Sequence, residues 1–258
     1  MDWKTELYNE NEKPLDRLVQ GYSNTSVFRT LAFIGDSLSS GEFESRGHEG
    51  APGFHDYFEY SWGQYIARNC GLKAYNFSKG GMTAKDYIQK FADANRFWRP
   101  EVAAQGYVMA LGVNDVFNYK QEMGTVADIC KEDWRKNADT FAGWYGAIIS
   151  RYKEIQPDAH FFLLNMPRGG GPMDETKGKF AQLIRDIAAY FDNCWCIDLF
   201  EYAPVYDAAF KEKFYLYGHM NASGYILTAQ MVDSYIDYIV RHNPEAFRRV
   251  GFIGTELK

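Results

Sequence analysis

The chain has 258 residues, 46% of them hydrophobic and only 8 of them proline. That length accommodates one well-buried α/β domain and is short for two. A net charge of −6, from 34 acidic and 28 basic side chains with no long basic run, argues against a nucleic-acid partner and suits a small neutral or cationic ligand.

Residues 1–27 fit no regular element and stand as an N-terminal extension. Met1 is followed by Asp2, Lys4, Glu6 and Glu10, without the apolar core of a secretory leader, and no later stretch approaches a membrane span. A cytoplasmic location with no membrane partner is the expectation, so the Asn-x-Ser/Thr triplets at Asn24, Asn76 and Asn221 carry little meaning. Leu31-Ala32-Phe33-Ile34 then reads as a buried strand closing on Gly35-Asp36-Ser37-Leu38-Ser39. A serine where a strand ends and a helix begins can expose its hydroxyl at the top of a sheet beside free backbone N–H groups. A serine that merely caps the next helix fits the pentapeptide equally well.

Gly41 to Glu59 is an insertion that fits no regular element. Because it follows a strand, it is expected to wall the active-site side, and its length leaves open whether it closes over a ligand. Further strand-like runs are Leu72 to Phe77, Tyr107 to Leu111, His160 to Asn165 and Cys194 to Leu199. Asn76-Phe77-Ser78-Lys79-Gly80-Gly81-Met82-Thr83 spans the end of the second and Leu111-Gly112-Val113-Asn114-Asp115 closes the third. Pro167-Arg168-Gly169-Gly170-Gly171-Pro172 reads as a flexible rim loop. Helical spacing is clearest at Phe180, Leu183, Ile184, Ile187, Ala188 and Phe191. Tyr217-Gly218-His219-Met220-Asn221 precedes a second amphipathic run from Ile226 to Val240, which should stop near Asn243-Pro244. Strands alternating with helices imply a parallel sheet covered on both faces: a three-layer α/β/α sandwich of about five strands, flavodoxin-like, in one domain over 1–258. Cys70, Cys130, Cys194 and Cys196 show neither CxxC spacing nor a paired framework, so reduced thiols and no structural metal are expected.

The four polar sites, in this order, resemble the SGNH hydrolases, also called the GDSL esterase/lipase family, from about Thr30 to about Val240. The resemblance implies acyl-ester cleavage without a cofactor and assigns its four name-giving residues to Ser37, Gly81, Asn114 and His219. Ser37 is then the nucleophile and His219 its base, since a neutral serine needs its proton removed. The Ser37 N–H, the Gly81 N–H and the Asn114 amide would hold the oxyanion. Bland alternatives accompany each: a tight turn at Gly80-Gly81, an Asx-turn at Asn114 and a structural histidine. Gly81 is chosen over Gly80 because its spacing from Asn76 fits the family block better. Asp36 and Asp115 read as loop-fixing carboxylates, and Asp198 as a cap.

One departure stands out. Where the family carries an aspartate three residues before the histidine, this chain has Leu216. A backbone carbonyl could orient His219, a carboxylate from elsewhere could replace the aspartate, or the hydrolytic role could be lost. Glu42, Glu44, Asp56 and Glu212 are the candidate acids, and spacing singles out none. Competing nucleophile, zinc, Walker and dinucleotide motifs are absent. Aromatic residues at Phe43, Phe54, Tyr57, Phe58, Tyr60, Tyr215 and Tyr217 suit a sugar ring at the cleft. The expected function is a serine esterase removing a short acyl group, acetyl first, from a carbohydrate or other small molecule through an acyl-enzyme. The alternatives are a non-catalytic glycan- or ester-binding protein, a lysophospholipase or thioesterase, or an acyltransferase. Oligomeric state is not read from the sequence.

Overall fold

A computed structural model of the chain describes residue 9 and residues 11–257; the start of the N-terminal extension lies outside the described residues. Five strands, β1 (Thr30–Gly35), β4 (Lys73–Ser78), β5 (Gly106–Ala110), β6 (His160–Leu164) and β7 (Cys194–Ile197), form one parallel sheet in the order β4-β1-β5-β6-β7. The chain moves outward one way from β1 to β4 and then the other way from β5 onward. The direction therefore reverses between β1 and β5, and open α/β sheets bind ligands beyond the strand ends at such a switch point. Asp36-Ser37 leaves β1 there, and Leu111 to Asn114 leaves β5 there.

Both faces of the sheet are apolar, as buried parallel strands require. Ala32 and Ile34 of β1, Tyr107 and Met109 of β5, and Phe161 and Leu163 of β6 share one core with Tyr145, Ile148 and Tyr152 of the helix Phe141–Ile155 and with Phe180, Ile184 and Ile187 of the helix Asp174–Tyr190. The alternate residues Leu31, Phe33, Val108 and Phe162 share the opposite core with Trp62 and Ile66 of the helix Trp62–Cys70 and with Val232, Ile236 and Ile239 of the helix Ala222–His242. In chain order these are α2 (Trp62–Cys70), α3 (Phe141–Ile155), α4 (Asp174–Tyr190) and α6 (Ala222–His242), with the short α1 (Ser37–Ser40) and α5 (Ala208–Phe214) at the strand-end side. The period of two along each strand thus separates the layers. Ser61, Thr140 and Asn221 cap α2, α3 and α6 through their side chains, satisfying N–H groups that each first turn leaves open. Among the described residues no helix is long and apolar enough to cross a membrane.

The insertion from Gly41 to Glu59, expected to be irregular, is instead an antiparallel hairpin, β2 (Glu42–Arg46) with β3 (Pro52–Asp56). Its strands escape a hydropathy search because their inward face is acidic: Glu42 and Glu44 are buried, while β3 is largely exposed. Two bonds tie it to α1 and α6. Ser40 Oγ of α1 donates to Asp56 Oδ1, and Tyr225 Oη of α6 donates to the Glu42 carbonyl at 2.6 Å.

A second small hairpin, β8 (Tyr215–Leu216) with β9 (His219–Met220), carries the histidine. Its turn places Tyr217 at φ 59°, a left-handed conformation that costs a non-glycine residue energy. The Arg46 guanidinium lies 4.2 Å over the Tyr217 ring, joining the two hairpins.

Candidate active site

Ser37, Gly81, Asn114 and His219 line one open cleft of about 570 Å³ at the switch point, together with Asp36, Glu42, Phe54, Asp56, Lys79 and Gly80. Ser37 opens α1, and the preceding Asp36 is the actual N-cap, accepting from the Leu38 N–H. The serine is thus left free of the capping role. Among the described residues its hydroxyl and its N–H make no hydrogen bond within the chain, and neither does the Gly81 N–H. Gly81 has φ 74°, which a glycine adopts without strain. Such unpaired N–H groups at a cleft are the physical requirement for receiving a negative oxygen.

Asn114 follows β5 and is buried. Its amide nitrogen donates to the Met82 carbonyl at 3.1 Å and makes a longer contact, 3.4 Å, with Asp36 Oδ2, while its oxygen accepts from Asn118 at 2.8 Å. The amide is therefore oriented by one firm bond on each end and keeps one N–H only weakly held.

Burial governs the carboxylates beneath the serine. Desolvation pushes the Asp36 carboxyl up to about 7, opposed by the Leu38 N–H and reinforced by the negative charges of Asp115 and Glu42. Asp115 rises to about 6 for the same leading cause, although it accepts from the Ala84 N–H at 2.8 Å. Its second oxygen is buried without a hydrogen-bond partner, so the desolvation of that oxygen is uncompensated. Both residues fix loops, as their positions suggested.

His219 lies between two glutamates of the first hairpin. Its Nδ1 stands 3.3 Å from Glu44 Oε2 and its Nε2 stands 3.0 Å from Glu42 Oε1. The carboxylate beside Nδ1 is thus that of Glu44, 175 positions earlier in the chain, and not of any residue near 216. Glu44 Oε2 also accepts the Gly218 N–H at 2.8 Å, and Glu44 Oε1 meets Arg46 at 2.5 Å. The Gly218 N–H is the main cause holding the Glu44 carboxyl below the usual range; His219 and Arg46 add to it against desolvation. Leu216 faces His219 across the hairpin register but is 43% exposed and supplies no polar atom.

Glu42 differs from Glu44. Desolvation raises its carboxyl despite the attraction of His219, and the negative charges of Asp56 and Glu44 add to the rise. Its Oε2 lies so close above Gly80 that any β-carbon there would collide with it. Glu42 therefore lies against His219 Nε2 and Gly80 at once, across the cleft. Of the other candidate acids, Asp56 is engaged by Ser40 and Glu212 is exposed on α5. Only the alternation Glu42-x-Glu44, which puts both side chains on one strand face, could have pointed to the pair before the hairpin was known.

The aromatic rim is smaller than expected. Phe54 lines the cleft and meets the His219 ring edge-on at 5.6 Å. Phe43 instead packs against Tyr57, Tyr60 and Tyr225, Tyr215 lies by a neighbouring cavity, and Tyr217 lies under Arg46. Hydrophobic demand from the hairpin's back face explains the difference. Among the described residues no group of three or more His, Cys, Asp or Glu side chains could hold a metal.

The GDSL-like lipase/acylhydrolase family profile matches residues 33–227. No curated protein sequence matches the chain. Among solved structures, a carbohydrate esterase family 2 enzyme with a carbohydrate-binding domain from Corynascus thermopiles (Myceliophthora fergusii) superposes with a TM-score of 0.57 at 15% identity, over 82% of this chain and 66% of that one. The acetyl xylan esterase AlAXEase gives 0.53 at 17% identity, over 80% and 99%. The psychrotrophic esterase EstA from Pseudoalteromonas sp. gives 0.52 at 15% identity, over 82% and 98%. At these identities the likeness establishes the shared three-layer fold.

Proposed function

Because the chain belongs to the GDSL-like lipase/acylhydrolase family and is a serine ester hydrolase, we propose that it removes a short acyl group, acetyl in the simplest case, from a carbohydrate or similar small alcohol. The observation that carries this reading is the His219 ring, held on the wall of the Ser37 cleft with Glu44 at its Nδ1. The ring's Nδ1–H donates to Glu44, which leaves Nε2 as the base and lets the carboxylate stabilise the imidazolium once formed.

Ser37 Oγ attacks the ester carbonyl and passes its proton to Nε2. The resulting oxyanion is received by the N–H groups of Ser37 and Gly81 and by the Asn114 amide. Collapse breaks the bond to the alcohol oxygen, which takes the proton back from Nε2. Water then attacks the acyl-serine, gives a proton to Nε2, and the returning proton restores the Ser37 hydroxyl as the acid leaves. For the first step Glu42 must leave Nε2 and keep the proton the two share, so that Nε2 is free to accept the serine proton; an entering substrate occupying the same space would displace it.

The open cleft, bordered by polar side chains and Phe54, suits an alcohol rich in hydroxyls. The carbohydrate and acetyl xylan esterases among the fold relatives support the same substrate class. The non-catalytic alternative rests on Leu216, and the Glu44 carboxylate beside Nδ1 supports the catalytic reading against it. The test is turnover of a chromogenic acetate ester and of an acetylated xylo-oligosaccharide by the wild type and by Ser37→Ala. The wild type should hydrolyse both and the variant neither; no turnover by either protein would end this reading.

A further inference from the structure

Beside the catalytic cleft, and sharing the walls Asp36, Leu38, Val113 and Gly218 with it, lies a second cavity of about 290 Å³. It extends over the ends of β5 and β6. Buried Trp62, Leu164 and Leu199 contribute to its lining, with half-buried Met166. No element of the fold fills it, although apolar interiors normally close over such spaces.

Two cations border this apolar space. Lys177 of α4 donates from Nζ to the Pro167 carbonyl at 3.0 Å. Its nearest carboxylate, Asp174, is 3.9 Å away and already accepts the Gly169 and Gly170 N–H groups at 2.6 and 2.9 Å. Lys211 of α5 lies 6.0 Å over the Tyr215 ring and, among the described residues, pairs with no carboxylate. Burial holds the Lys177 ammonium below the usual lysine range; Asp174 opposes that shift and the like charge of Lys211 adds to it. Both ammonium groups face this one cavity, Lys211 from its exposed side and close enough for its like charge to act on Lys177, and an anion held there would be attracted by both.

We propose that this chamber receives the acyl part of the ester, and that Lys177 and Lys211 bind a second carboxylate at its far end. The preferred substrates are then half-esters of short dicarboxylic acids: methylene groups contact the apolar walls, and the terminal carboxylate meets the lysine pair. The inference rests on the esterase reading above and narrows its acyl group. A charged acyl terminus has its natural recognition in charge-assisted hydrogen bonds from ammonium donors.

The experiment compares kcat/KM for chromogenic monoesters of succinate, glutarate and adipate with those for acetate, butyrate and hexanoate, in the wild type, Lys177→Met and Lys211→Met. The readout is the ratio of each half-ester to the neutral ester of similar length, which a general loss of activity would not move. At least one half-ester should exceed its neutral counterpart by about tenfold, and each substitution should remove most of that advantage, the scale of a partly screened charged hydrogen bond. Neutral esters matching the half-esters, or a ratio unmoved by both substitutions, would overturn the proposal while leaving the esterase reading intact. An acetate ester with its carboxylate on the alcohol side is the control: lysine-dependent preference for that compound would place the anion in the leaving group and overturn the acyl assignment. Should no ester be hydrolysed, calorimetry with glutarate and butyrate decides: glutarate binding that weakens in Lys211→Met supports the chamber as an anion site, and no binding overturns it.

Discussion

Glu44 and His219 meet at 3.3 Å although each sits on its own small hairpin, and the same glutamate oxygen accepts the N–H of Gly218, next to the histidine. One carboxylate therefore holds the ring and the backbone that carries it. Replacing Glu44 with Gln removes the charge while keeping the shape, and kcat should fall by about a hundredfold to ten-thousandfold, as when a serine hydrolase loses its orienting acid. Leu216→Asp should change little in the wild type, because Nδ1 is already held, and should recover part of the loss in the Glu44→Gln background. Steady-state kinetics on the four proteins check this. Absence of recovery together with a large gain from Leu216→Asp alone would mean that Glu44 does not serve the ring.

Asn114→Ala should lower kcat by about a hundredfold or more, the effect of removing one oxyanion donor. KM should move far less, since the contact strengthens only as charge develops on the carbonyl oxygen. Circular dichroism and Tm separate this outcome from unfolding. The amide also bonds the Met82 carbonyl, so a modest fall in Tm is expected alongside the kinetic effect.

In the proposed mechanism Glu42 competes for the nitrogen that receives the serine proton. Glu42→Gln removes the charge that draws this side chain to the His219 ring, so kcat/KM for a small acetate ester should rise by about two- to tenfold. The wild type should gain relative activity toward the variant as the pH falls and Glu42 takes up a proton, because its carboxyl is raised by desolvation. Parallel pH–rate profiles read this directly. A fall of tenfold or more in the variant would instead make Glu42 a participant in turnover.

The buried Asp36 gives a stability signature. Its folded-state carboxyl titrates at about 7, above the ordinary value of 3.8, so between these the unfolded chain releases a proton that the folded protein keeps. The contribution of this group to stability therefore declines as pH rises from about 4 to about 7 and is level above that. Asp36→Asn should remove the decline, raising Tm at pH 8 relative to the wild type more than at pH 5. Calorimetric scans across the range check it; equal shifts at both pH values would place an ionised carboxylate at this position.

Much of this was legible in the chain. The five strands of the sheet fall where strand-like runs predict them; the central β1, β5 and β6 are the clearest, because a parallel strand buried on both faces is nearly continuously apolar, while the edge strands β4 and β7 are only partly buried. Ser37 and Asn114 come to one cleft because they follow β1 and β5, the strands that flank the switch point, and Gly81 joins them because it follows β4, the neighbour of β1 on its other side. Glu44 was not separable from Glu42, Asp56 and Glu212, since its role depends on how an insertion folds back over the sheet, and no periodic apolar signal marks β2 or β3. The lysine-bordered chamber was equally hidden: Trp62, Leu164, Lys177 and Lys211 come from separate elements, and their convergence is a property of packing alone.

The hairpin's attachment through Ser40 and Tyr225 has a consequence for how the enzyme fails under heat. The hairpin is otherwise held by Glu44 at Gly218 and His219, by Arg46 over Tyr217 and by Phe43 against Tyr225, so loosening its base at Ser40 and Tyr225 should disturb the two carboxylates around the histidine before it disturbs the sheet. Warming should extinguish the reaction several degrees before the molecule melts, and cooling from that interval should restore it in full.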